Sequence, residues 1–277
     1  MVKQLQILFN QSEITAGTRG ASLGPDAIMT AARKIEDQFF SDFPPRIIPN
    51  FNAALDNAVK HPNGKRIQFL GMVMDEVIEA LDFCFENNEF PVLVSGDHGS
   101  AAGTIAGLKK NFPNERIGVV WIDAHGDLHT PYTTPTGNMH GMPLAVALQE
   151  NNTPCKVNDV KPETVAYWDE LKSKGFDGPK FNPEDLMFFG VRDTEAPEDD
   201  LMKRLNLTNH QVEDWRSKSA GERQEILEEY MNRVDKLYVS FDVDSMDPDE
   251  TSYGTGTPVK NGFKVEEAKE LLDFFTK

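Results

Sequence analysis

Five short runs of β-branched and apolar residues, separated by longer segments of helical periodicity, constrain the fold of this chain more than any other feature. QLQILF (4–9), PVLVSG (91–96), RIGVVWID (116–123), DLMFFGV (185–191) and KLYVSFDVD (236–244) read as strands. MVMDEVIEALDFCFENN (72–88), SAAGTIAGLKKNF (100–112), PEDDLMKRLN (197–206), ERQEILEEYMNRV (222–234) and VEEAKELLDFF (265–275) read as helices. Strands this apolar, joined by crossover helices, imply a mostly parallel sheet covered on both faces. No internal repeat is present, and no stretch is rich enough in Pro, Gly and Ser to separate domains. A single domain spanning 1–277 is therefore expected, with 133–141 and 150–185 as its long loops or excursions.

In open α/β folds, sites form at the carboxyl ends of the strands. Three of the five strands here run into His/Asp clusters: Asp97-His98-Gly99, Asp123-Ala124-His125-Gly126-Asp127, and Asp242-Val243-Asp244 with Asp247-Pro248 closing the turn. In extended backbone, residues two apart face the same way. Asp123, His125 and Asp127 are therefore expected on one side, as are Asp242 and Asp244. A lone Asp-x-Asp after a strand is more often a turn or a helix cap, and Asp97 fits that reading. Three such clusters at three strand ends point instead to a shared site. Four aspartates packed without compensation would repel or protonate. Two divalent cations balance them to zero. Carboxylate and imidazole donors without thiolate favour ions such as Mn²⁺ over a structural zinc. Two such ions sharing a water lower its pKa enough for hydroxide to form near neutral pH.

Composition narrows the partners. The formal charge of −17 argues against nucleic acid and anionic membrane, both of which need a basic face, and suits a small cation. No apolar run approaches the roughly 20 residues of a membrane helix. The opening MVKQLQILFN reads as a strand, not a signal peptide, so a cytoplasmic protein is expected. Cys84 and Cys155 form no metal-type pair and read as reduced thiols without a role.

The motifs resemble those of the arginase (ureohydrolase) family. SGDHGSAAGTIAG is similar to its first metal motif, WIDAHGDLHTPYTTPTGNMHG to its second and SFDVDSMDP to its third. GTGTP (254–258) is similar to a substrate loop, and RGASLGPDAI (19–28) to the family's N-terminal segment. The resemblance runs over nearly the whole chain in order. It implies a three-layer α/β/α fold around a mostly parallel sheet, two Mn²⁺ ions with Co²⁺ or Fe²⁺ as substitutes, and a homo-oligomer, trimeric or hexameric. Carried over residue by residue, His98, Asp123, Asp127 and Asp242 hold one ion. Asp123, His125, Asp242 and Asp244 hold the other. His140 matches a histidine assigned to proton transfer or substrate contact, with Asp127 beside it in the catalytic set. Thr136, Asn138 and Thr257 match substrate-pocket positions.

The resemblance implies hydrolysis of a small cationic guanidino compound, L-arginine, to L-ornithine and urea. Agmatine, guanidinobutyrate or formimidoylglutamate are the alternatives within the family, and a metal-binding, weakly active protein is the alternative outside it. Three positions depart from the family pattern. His129 stands where Asn usually meets the substrate carboxylate, Thr136 where Ser usually does, and Glu195 where Asp usually meets the α-amino group. The family also continues past GTGTP into a last helix and strand, followed by a glutamate for the guanidinium. The 277 residues, ending KVEEAKELLDFFTK, are expected to lack that strand and helix.

Overall fold

The structure, a computed structural model, describes residues 4–35 and 38–276. Two compact units emerge, one built from Met1–Pro113 and His129–Lys180, the other from Asn114–Leu128 and Phe181–Lys277. Every strand pair in both is parallel, as the apolar runs predict.

In the first unit, β1 (Gln4–Asn10) lies between β2 (Arg46–Ile48) and β3 (Glu89–Ser95). Its helices are α1 (Gly24–Ala32), α2 (Phe39–Asp42), α3 (Ile67–Glu86), α4 (Ala101–Asn111), α5 (Pro143–Leu148) and α6 (Pro162–Ser173). Helix α3 is buried on two sides, which explains its long apolar pattern. Leu70 and Met74 pack with Ala102, Ala106, Trp168 and Leu171, while Val73, Val77 and Leu81 pack with Leu8, Ile14 and Ile48. Gly103 lets α4 approach closely, since a Cβ there would lie 3.0 Å from Met74 Cα. Helices α5 and α6 both begin with proline at the first turn, where a missing N–H costs nothing.

In the second unit, the sheet order is β6 (Thr208–His210), β5 (Leu186–Phe189), β4 (Ile117–Ile122), β7 (Lys236–Phe241). Helices α7 (Ala196–Arg204), α8 (Val212–Ser217), α9 (Ala220–Met231) and α10 (Val265–Phe275) complete it. Val120, Ile122, Phe189, Trp215, Tyr230, Phe263 and Leu271 form the core. Strand β4 has neighbours on both sides and buries all six residues, whereas among the described residues β7 pairs only with β4 and buries one of its six.

The helices expected at 100–112, 197–206, 222–234 and 265–275 are present within about two residues at most ends. Helix α3 starts five residues before its expected position, at Ile67. The region 150–185, expected as loop or excursion, contains α6. The strand expected to run to residue 244 stops at Phe241, and the one expected to 123 stops at Ile122. Both stops matter for the site.

Candidate metal centre

Strands β4 and β7 end side by side, with Ile122 opposite Phe241, and the Asp242 N–H donates to Ile122 O at 2.8 Å. The chain then leaves extended geometry. Asp242 opens a short 3-10 turn, Val243–Ser245, its Oδ1 accepting from the Asp244 N–H at 3.1 Å. Asp123 Oδ1 accepts from the His125 N–H at 2.8 Å, and Asp127 adopts a left-handed φ of 50°. Convergence thus comes from turns whose aspartates bond their own backbone. The same-face alternation expected from sequence does not operate here, because the strands have already ended.

These turns bring Asp123, His125 and Asp244 together. One ligand-type atom of each lies within 4.8 Å of those of the others. Ligand atoms about 2 Å from a common ion lie up to about 4–4.5 Å apart, so the donor set fits a divalent metal after small adjustments. The His125 Nδ1 is 3.4 Å from Asp123 Oδ1 and 3.3 Å from Asp244 Oδ2, so the ring nitrogen faces two carboxylates. Asp244 Oδ1 accepts from the Ala124 N–H at 3.3 Å, and its Oδ2 accepts from the Thr257 hydroxyl at 3.0 Å. Asp123 and Asp244 are buried.

The electrostatics describe a pocket short of positive charge. Burial disfavours the charged His125 ring, yet hydrogen bonds and charge from Asp244 and Asp123 carry its pKa up to about 11. Burial, helped by the like charges of Asp242 and Asp123, pushes Asp244 up to about 6. A divalent cation would relieve both shifts at once.

The loop after His125 is held by a residue that sequence reading missed. Buried Glu198, in the first turn of α7, accepts from the Leu128 N–H at 3.0 Å and from the Glu195 N–H at 3.2 Å. It thus fixes the backbone on the far side of Asp127. A Cβ on Gly126 would lie 3.1 Å from the Glu198 carboxylate, so glycine suits that close approach. Glu195 is exposed at the N-cap of α7. The only signal for Glu198 in sequence was a Glu three residues after an N-cap, the spacing of a capping box.

In the first unit, His98 heads a 3-10 turn after β3, and His140 sits in another, Met139–Gly141; the two turns pack together. Thr15 joins them: its N–H donates to Asp97 Oδ2 at 2.9 Å, and its carbonyl accepts from the His140 N–H at 3.3 Å. Burial raises the Asp97 pKa, against which the Thr15 hydrogen bonds act. Asp97 is thus a loop anchor, as its turn reading predicted. The His129 N–H donates to Gly141 O at 3.0 Å, and its Nδ1 lies 3.2 Å from Thr133 Oγ1. Thr136 is exposed, its hydroxyl accepting from the Asn138 N–H at 3.1 Å. Asn138 Oδ1 accepts from Lys65 Nζ at 3.1 Å.

Parallel strands whose carboxyl ends gather aspartates and histidine form a candidate divalent-metal site. Residues 6–277 match the family model of the arginase family, and the chain belongs to that family, a hydrolase of the ureohydrolase type. It is 31% identical to the arginase of Brevibacillus brevis and 28% identical to that of Bacillus subtilis, in each case over 99% of this chain and 86% of the relative. The solved arginase of Bacillus caldovelox superposes with a TM-score of 0.81 at 27% identity, covering 98% of this chain and 86% of that one. The three-layer α/β/α fold follows from that likeness. No helix among the described residues is long and apolar enough to cross a membrane.

Proposed function

We propose that this protein hydrolyses the guanidinium group of L-arginine to L-ornithine and urea at a centre holding two Mn²⁺ ions. The observation that carries this reading is the convergence of Asp123, His125 and Asp244, in a chain of the arginase family. His98, Asp123, His125, Asp127, Asp242 and Asp244 would hold the ions, and their four carboxylates match the charge of two divalent cations. Ions held there would supply Lewis acidity that lowers the pKa of a bound water toward neutral.

The chain's own groups do the rest. Asp123 and Asp244 are buried away from bulk water, which strengthens their charge interactions. His140 is the group assigned to give a proton to the leaving amine. His129, Thr136 and Asn138 hold the substrate carboxylate, and Glu195 its ammonium. Thr257 orders the Asp244 carboxylate from the loop that lines the pocket. Both units act as one domain of 1–277, within a cytoplasmic homo-oligomer, a trimer or hexamer.

The test is urea release from L-arginine, agmatine and guanidinobutyrate by the chain reconstituted with Mn²⁺. Arginine should be the best substrate. If agmatine outperforms it, the arginine assignment is wrong and the agmatine alternative takes its place.

A further inference from the structure

We infer that Arg192 is the positioning residue of the metal centre, clamping the turn that carries Asp244 to the loop that carries Thr257. This rests on the metal-centre reading above. Five donor contacts from one guanidinium reach five main-chain carbonyls. Nη2 donates to Asp244 O at 3.0 Å and Val259 O at 2.7 Å; Nη1 donates to Gly190 O at 2.9 Å and Ser245 O at 3.3 Å; Nε donates to Lys260 O at 3.0 Å. Two of those carbonyls belong to the Asp242–Ser245 turn, two to the segment just after Thr257, and one to the end of the β5 strand.

The arrangement does something that neither loop does alone. Asp244 presents Oδ1 to the Ala124 N–H and Oδ2 to Thr257, which fixes its carboxylate only if both loops keep their places. Arg192 bonds the main chain at Asp244 itself and two residues beyond Thr257, and so spans that contact. Among the described residues β7 pairs as a strand on one side only, with β4, and not with the loop after Thr257. The planar fork suits several carbonyls at once, whereas a lysine offers a single ammonium on a flexible stem. Ligand atoms held within a few tenths of an ångström bind metal more tightly than ligands that must first be ordered.

A merely structural arginine would change stability and leave metal affinity alone, and that difference makes the test. Mn²⁺ binding to the full chain is measured by titration calorimetry for wild type, Arg192→Lys, Arg192→Gln and Leu271→Ala. The last variant opens a cavity in the same unit's core without removing any hydrogen bond of the turn. Arg192→Gln should weaken Mn²⁺ binding by about tenfold or more, Arg192→Lys by an intermediate amount, and Leu271→Ala should lower the Tm with Mn²⁺ affinity unchanged. Both Arg192 variants binding Mn²⁺ like wild type would overturn the role. So would failure of both to fold in saturating Mn²⁺, which would make Arg192 a folding residue. Wild type binding no Mn²⁺ would instead overturn the metal reading, and this role with it.

Discussion

Strands β4 and β7 each end in an Asp-x-(His/Asp) pair that feeds one cluster, yet they are held in opposite ways. Strand β4 is buried at all six residues between two parallel neighbours, and Asp123 at its end is 1% exposed. Strand β7 has one neighbour among the described residues, is half-buried along most of its length, and leads into Val243, 49% exposed. The buried end of β4 anchors the turn that carries Asp123 and His125. The β7 ligands depend on turn hydrogen bonds: Ser245 Oγ to Asp242 O at 2.6 Å, Thr257 to Asp244, and the Arg192 clamp. A shared site can thus be half framework and half loop, and the two halves should respond differently to perturbation.

The sharpest way to break this comparison is to remove one charge from each half. Asp123→Asn and Asp242→Asn keep side-chain volume but upset the balance of four carboxylates against two cations. Each should cost at least one Mn²⁺ and lower arginine turnover by more than about 100-fold. Metal analysis finding two tightly held ions in the Asp242 variant alone would make the β7 half dispensable.

Packing separates the halves next. Ile122→Ala, in the closed interior of β4, should destabilise by about 2–5 kcal/mol in chemical denaturation. Leu237→Ala, on half-buried β7, should cost clearly less, about 1–2 kcal/mol. Equal costs would contradict the unequal framework.

A third test lies outside both strands. Losing a charge-assisted hydrogen bond costs roughly 1.5–3 kcal/mol, so Glu195→Ala should lower kcat/KM for arginine by about 10- to 150-fold. Agmatine should remain a poor substrate for both forms. Because Glu195 is exposed at a helix N-cap, an unchanged arginine kcat/KM would mean that capping is its whole role.

The smallest effect concerns pH in the aromatic packing of the four-stranded unit. His210 packs against Phe189 and Trp215, and burial, with Lys218 nearby and Asp214 opposing, lowers its pKa to about 4. Its unfolded value is near 6.5. Between those values only the unfolded state takes up the proton, so this contribution is full above about pH 6.5 and is lost as pH falls toward 4. Urea denaturation at pH 7 and pH 5 should show wild type losing about 1–2 kcal/mol more than His210→Phe. Equal losses would contradict the assignment.

Much of this was legible in the sequence because strand interiors and ligand chemistry both leave local signals. All five expected strands are present, and Asp123, His125 and Asp244 do converge. The mode of convergence was not legible, because it depends on where the strands stop. Asp-x-Asp reads equally as extended alternation or as an Asx turn, and the structure takes the turn. Strands β2 and β6, three residues each, are too short to carry a period. Arg192 left no signal, and Glu198 only its capping-box spacing, for another reason. Their partners are main-chain groups, which leave no trace in residue type: Asp244 O lies 52 positions from Arg192, and Leu128 N lies 70 from Glu198.

Metal at the ends of β4 and β7 is the central expectation for this protein. Crystals of the chain grown with Mn²⁺, measured at the manganese absorption edge, give the position of each ion directly. The account predicts an anomalous peak between His125 Nδ1, Asp123 and Asp244, about 2.0–2.3 Å from each ligand atom. An occupied manganese peak elsewhere, with this cluster empty at saturating Mn²⁺, would contradict it.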